Sequence, residues 1–81
     1  MEDLIISGTT KTPDVAFLVL DKKLTLTGRS IPENSIQFYE PLLNWSNDFC
    51  SSKPGHIEVH VKLEYFNTSS SKCLMDLLKR I

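Results

Sequence analysis

The residues best suited to carry chemistry are the hydroxyls of Asn67-Thr68-Ser69-Ser70-Ser71, a polar run between a strand-like segment and a helical one. A helix starting there would turn unpaired amides and the positive end of its dipole toward the run. A phosphate ester on Thr68 or Ser69 would be favourably placed in that field. The chemistry implied is a modification switch. The same residues also have a plainer use, with Ser70 or Ser71 capping the helix and the others solvating the loop, and residue types alone favour that use.

Other reactive side chains form no recognisable constellation. His56 and His60 are four apart on a strand, about 13 Å, too far to share a metal ion. Cys50 and Cys73 lack CxxC spacing and paired histidines and read as reduced thiols. No nucleophile has a base beside it in sequence, and three glycines build no phosphate loop. A hydrolase or transferase using Thr68 or Ser69 with His60 as base is the enzymatic alternative, and it has little in its favour. Asn44-Trp45-Ser46 and Asn67-Thr68-Ser69 match the glycosylation pattern by chance if the chain is not exported. Neither metal nor cofactor is implied.

Eighty-one residues with 41% apolar and 23% charged side chains suit one soluble domain spanning residues 1–81. Nine basic and ten acidic residues leave a net charge of -1, so no general field draws the chain to nucleic acid or an anionic membrane. The longest apolar stretch, Val15 to Leu20, is far short of the roughly 20 residues that span a bilayer. The acidic start, Met1-Glu2-Asp3, is unlike a secretory signal, and a cytoplasmic location is expected.

The elements that must position the hydroxyl run can be read from periodicity. Val15–Leu20, a polar turn at Asp21-Lys22-Lys23, and the alternating Leu24–Gly28 predict a β-hairpin, with Leu4–Ile6 as a short separate strand. A helix follows, started by a capping box at Ser30 and Glu33 or, in competition, by Asn34 with Gln37. Its apolar stripe is Phe38, Leu42, Trp45 and Phe49, widened by Ile36, Tyr39 and Leu43, and Pro41 should kink it. Ile57, Val59, Val61, Leu63 and Tyr65 alternate with polar residues, predicting a strand with one buried face. A second helix from Ser70 or Ser71 carries Leu74, Leu77, Leu78 and Ile81. The fold class is α/β (α+β), in the order β-β-α-β-α, and a further strand parallel to the 56–66 strand is expected after it.

Gly8-Thr9 with Thr12-Pro13, the segment Gly28-Arg29-Ser30-Ile31-Pro32-Glu33-Asn34-Ser35, Phe38-Tyr39-Glu40-Pro41 and Leu63-Glu64-Tyr65-Phe66-Asn67-Thr68-Ser69-Ser70 resemble the SiaC family of bacterial regulatory phosphoproteins. The resemblance implies a fold similar to STAS domains of anti-sigma-factor antagonists, a sheet with helices mainly on one face. It makes Thr68 the phosphorylated residue, with Ser69 second. It also implies a protein kinase that adds the phosphate, a PP2C-type phosphatase that removes it, and a diguanylate cyclase activated by the unphosphorylated form. The output would be cyclic di-GMP and biofilm control. Glu33, Asn34, Asn67 and Ser70 join Thr68 and Ser69 as residues expected at the partner surface, although capping is an equal role for Glu33.

Members of that family continue for a further strand and helix, so the domain is expected to be incomplete, its C-terminal half missing. Strand exchange between two copies, giving a homodimer, is one way to supply the absent contacts. Two other readings stay open: a truncated structural or oligomerising domain that is never modified, and a partner switch of the anti-sigma-factor-antagonist type.

Overall fold

The computed structural model describes residues 2–80. In chain order the elements are β1 (Leu4–Ile6), β2 (Asp14–Leu18), β3 (Lys23–Ser30), α1 (Ser35–Ser51), β4 (Glu58–Phe66) and α2 (Thr68–Arg80). They build a mixed α+β fold on a four-stranded sheet of order β1-β2-β3-β4. The expected order β-β-α-β-α is present, with β1 added at the edge. Residue 81, Ile81, expected to extend the stripe of the second helix, lies outside the described residues.

The hairpin forms as read, with Phe17 opposite Leu24 and Val15 opposite Leu26 in antiparallel register. Its strand is shorter than the apolar run. Val19 and Leu20 belong to the turn, where Leu20 is almost wholly exposed and Lys22 takes a positive φ of 52°. β3 then pairs with β4 in parallel, and α1 makes the connection that a parallel pair requires. At Gly28 the β3–β4 register slips by one residue, and its φ of 111° explains why glycine stands there. Gly8 is fixed by crowding, since a Cβ would lie 2.8 Å from the backbone of Asp14 and of Thr12.

Both helices pack on one face of the sheet. Val15, Phe17, Leu24 and Leu26 meet Tyr39 and Leu42 of α1 and Cys73, Leu74 and Leu77 of α2 in one buried cluster. Burying side chains of this size contributes roughly 1.5–3 kcal/mol each. Trp45 stacks on Phe49 at 4.8 Å between ring centroids and leans on Phe17 at 5.3 Å. Ile36 departs from the expected stripe and is 75% exposed, because the buried line of α1 runs through Ser35, Tyr39, Leu42, Ser46 and Phe49. Pro41 lies within α1, which is continuous from Ser35 to Ser51, and it leaves the Gln37 carbonyl without its helical donor.

Two expectations about the strands and helices are corrected. Residues of β4 expected on a buried face are only partly covered: Val59 and Val61 are exposed because β4 is the last strand of the sheet among the described residues, and Tyr65 is exposed because the register slip sets it opposite Arg29 on the other face. Leu78 of α2 is likewise exposed, whereas Leu74 and Leu77 are buried. Among the described residues no helix is long and apolar enough to cross a membrane.

Candidate functional site

The hydroxyl run lies where β4 hands over to α2, and its geometry is set by Asn67. The Asn67 amide donates to the Ser30 carbonyl at the end of β3, and its own carbonyl accepts from Ser71. Its side-chain Oδ1 accepts from the Ser70 amide at 2.8 Å, so Asn67 is the N-cap and α2 begins at Thr68. The helix therefore starts earlier than Ser70 or Ser71, because the carboxamide of Asn67 takes the capping role assigned to those serines. Thr68, Ser69 and Ser70 occupy the first turn.

These three hydroxyls have different environments. Thr68 and Ser69 are exposed, and Ser70 is fully buried. Ser69 Oγ lies 2.8 Å from Ser35 Oγ and donates to Asn67 Oδ1 at 3.3 Å. Ser30 Oγ donates to Ser70 Oγ at 2.9 Å, which leaves the Tyr39 hydroxyl to donate to Ser30 at 2.5 Å. Ser35 Oγ also reaches Ser70 Oγ at 3.4 Å. The result is a chain of hydroxyls from Tyr39 in the core through Ser30, Ser70 and Ser35 to Ser69 at the surface. Burial pushes the Tyr39 phenol above its ordinary pKa, and the hydrogen bond with Ser30 pulls partly against it.

The start of α1 meets this chain. Asn34 caps α1 by accepting from the Gln37 amide at 3.1 Å, so the second of the two expected caps forms. Ser30 cannot cap α1 because it ends β3 and its hydroxyl is held by Tyr39 and Ser70. Glu33 reaches Lys11 at 3.5 Å across exposed surface, an ion pair of little energetic weight. Of the residues expected at the partner surface, Asn67, Ser69 and Ser70 are joined directly and Thr68 lies among them. Asn34 approaches through its neighbour Ser35, and Glu33 is turned to the loop around Lys11.

Ser30, Ser35 and Tyr39 were not assigned to the site by residue pattern, although all three fall in the family-like segments. Their contacts span 9 to 40 positions in sequence, and no local spacing reports them. His60 is out of reach of Thr68. It lies beside Glu58 at 3.5 Å on β4, and Phe66 is six residues further along the strand, about 20 Å away. Among the described residues no group of three His, Cys, Asp or Glu is placed to hold a metal ion. Beside Ser69 a groove of about 460 Å³ opens between α1 and α2, lined by Ile36, Glu40, Leu43, Lys72 and Asp76 among others.

Fold and site together define a small α+β domain that presents accessible hydroxyls at a helix N-terminus beside an open interhelical groove. The family model described as SiaC family regulatory phosphoprotein matches residues 6–81. The chain belongs to the SiaC family. It is 36% identical over 78 residues to an uncharacterized protein of Pseudomonas aeruginosa strain UCBPP-PA14, covering 96% of this chain and 62% of that protein. It superposes on apo-SiaC from Pseudomonas aeruginosa with a TM-score of 0.94 at 35% identity, covering 99% of this chain and 66% of that one. A further match is SiaC bound as activator to the diguanylate cyclase SiaD, from the same organism, with a TM-score of 0.90 at 35% identity. That match covers 95% of this chain and 63% of the solved one, so the chain spans somewhat less than two thirds of these relatives.

Proposed function

We propose that this chain is a phosphorylation-switched cytoplasmic regulator whose unphosphorylated form binds and activates a diguanylate cyclase. Thr68 is the modified residue, with Ser69 as the second choice, and the chain itself is not an enzyme. A protein kinase adds the phosphate and a PP2C-type phosphatase removes it. The observation that carries this reading is an exposed Thr68 in the first turn of α2, next to a capping asparagine and a groove that a partner can enter. The SiaC–SiaD complex supports the choice of a diguanylate cyclase as partner.

The physical effect of the modification follows from its charge. A phosphate adds about -1.5 to -2 charges at one point. Within the chain that charge is tolerated, because it joins the positive end of α2 and lies one helical turn from Lys72. Against a partner surface shaped for a neutral threonine it creates repulsion or a buried, unpaired charge. Phosphorylation thus opposes binding while leaving the fold intact. Asn67, Ser69 and Ser70 hold Thr68 in place, and Asn34 and Glu33 lie toward the same end of the domain.

The reading is tested by reconstituting cyclic di-GMP synthesis from GTP with the diguanylate cyclase of the same cell. The expected result is activation by the unmodified chain and loss of activation after treatment with kinase and ATP. Thr68→Ala should activate whether or not kinase is present. Activation that survives phosphate on Thr68 would refute the switch.

A further inference from the structure

Exposure does not separate the two candidate acceptors, because Thr68 and Ser69 are both open to solvent. Hydrogen bonding does separate them. Each hydroxyl has one proton to donate, so the directions around Ser69 follow from where each proton is spent. Ser69 donates to Asn67 Oδ1 at 3.3 Å, which makes Ser35 the donor across the 2.8 Å between Ser35 Oγ and Ser69 Oγ. With that proton spent, the 3.4 Å contact between Ser70 and Ser35 runs from Ser70 to Ser35. Ser30 donates to Ser70, and Tyr39 donates to Ser30. Every bond therefore points the same way, from Tyr39 in the core out to Asn67, and bonds aligned head to tail strengthen one another. Ser69 is engaged as donor and as acceptor, whereas among the described residues no hydrogen bond holds Thr68 Oγ1.

We propose that Ser35 selects Thr68 over Ser69 as the phosphate acceptor. The inference rests on the switch proposed above and names the residue that sets its site. In the transfer the acceptor oxygen bonds to the γ-phosphorus of ATP and the bond from that phosphorus to the β–γ bridging oxygen breaks. ADP leaves, and the hydroxyl proton passes to a base of the kinase. Thr68 Oγ1 enters this reaction with no bond to give up. Ser69 Oγ must release two, because its lone pair accepts from Ser35 and its proton points at Asn67 instead of a base outside the chain. Asn67 is itself held, since the same Oδ1 accepts from the Ser70 amide at 2.8 Å. Ser35 is only 4% exposed and cannot meet a kinase, so it acts through Ser69 alone, as a positioning residue. Without its hydroxyl, Ser69 keeps one bond of 3.3 Å, long for an O–H donor, and becomes free to turn outward.

The test is residue-level mass spectrometry after brief reaction with ATP and the protein kinase of the same cell, on the wild-type chain and on Ser35→Ala, Tyr39→Phe and Thr68→Ala. The expected result is phosphate almost wholly on Thr68 in the wild-type chain, and a share on Ser69 that rises about tenfold in Ser35→Ala, the scale set by one lost hydrogen bond. Tyr39→Phe removes the far end of the hydroxyl chain and leaves Ser35 on Ser69, so its Ser69 share should stay within about twofold of wild type. Thr68→Ala reads the selection with Ser35 in place: Ser69 should be modified about tenfold more slowly than Thr68 is in the wild-type chain. Selection by Ser35 would be overturned, with the switch left standing, by a Ser69 share that Ser35→Ala does not raise or that Tyr39→Phe raises as much. Ser69 as the main site in the wild-type chain, or its modification at the full rate in Thr68→Ala, would overturn the selection equally. Phosphate on neither residue in any chain would overturn the switch itself, and the selection with it.

Discussion

Ser35, the first residue of α1, and Ser69, in the first turn of α2, share a hydrogen bond with their oxygens 2.8 Å apart. Two helix N-termini are thereby tied together at the surface, and each contributes the positive end of its dipole to the same small region. A negative charge on Thr68 or Ser69 enters a field that already favours it. On the proposed function the loop would hold a phosphate without needing a lysine or arginine cluster, and the modification need not unfold anything to be felt by a partner.

Phosphate on Thr68 should therefore stabilise the isolated chain. An anion in the first turn of a helix contributes about 0.3–1 kcal/mol at an exposed position. The expected outcome is a higher urea midpoint for the phosphorylated chain, and a smaller gain in a Lys72→Ala background. A midpoint lowered by phosphate would mean that the charge disrupts α2 instead of capping it.

Asn67 holds the site through its backbone and its side chain together. Removing the cap with Asn67→Ala should cost about 1 kcal/mol of stability, and Asn67→Asp should retain most of it. Chemical denaturation of the three chains measures both differences. Equal stability of the alanine and wild-type chains would show that the Asn67–Ser70 hydrogen bond carries little of the helix start.

How far the sequence reports this site depends on the range of each interaction. The hairpin, both helices and the parallel strand are legible because their signals, alternation and three-four spacing, are local. The capping box at Ser30 and Glu33 fails for a non-local reason. Ser30 is claimed by Tyr39 and by Ser70, the latter 40 positions away, and Asn34 is left to cap α1. The buried face expected for β4 fails similarly: alternation reveals that Val59 and Val61 share a face, and only topology reveals that little covers it. Thr68 and Ser69 were legible as candidate hydroxyls, whereas the buried hydroxyl chain behind them was not.

Tyr39 gives the fold an alkaline limit. Its phenol is held above its ordinary value by burial, with the Ser30 hydrogen bond opposing and Cys73 adding slightly. Below the ordinary value of about 10 both folded and unfolded chains keep the proton, and no pH slope arises from this group. Above it the unfolded chain loses the proton first, so stability falls as pH rises through the raised folded value. Tyr39→Phe should remove that part of the slope while costing about 1 kcal/mol at neutral pH, as read from urea unfolding between neutral and alkaline pH. A slope unchanged by the substitution would place the alkaline limit elsewhere.

Ser46 offers the opposite case. It is fully buried on α1, and among the described residues its hydroxyl has no hydrogen-bond partner. An unsatisfied buried hydroxyl costs roughly 1–3 kcal/mol, and alanine fits the same space with better helix propensity. Ser46→Ala should leave stability unchanged or raise it by about 1 kcal/mol. A clear loss of thermal stability would reveal a bond formed by Ser46 in solution.

The most direct measurement is calorimetric titration of a diguanylate cyclase from the same cell with the chain, once unmodified and once phosphorylated at Thr68 alone. The expected result is tight binding of the unmodified chain and an affinity at least about a hundredfold lower for the phosphorylated one, equivalent to roughly 2.7 kcal/mol. Equal affinity of the two forms would contradict control of the partner by charge at the start of α2.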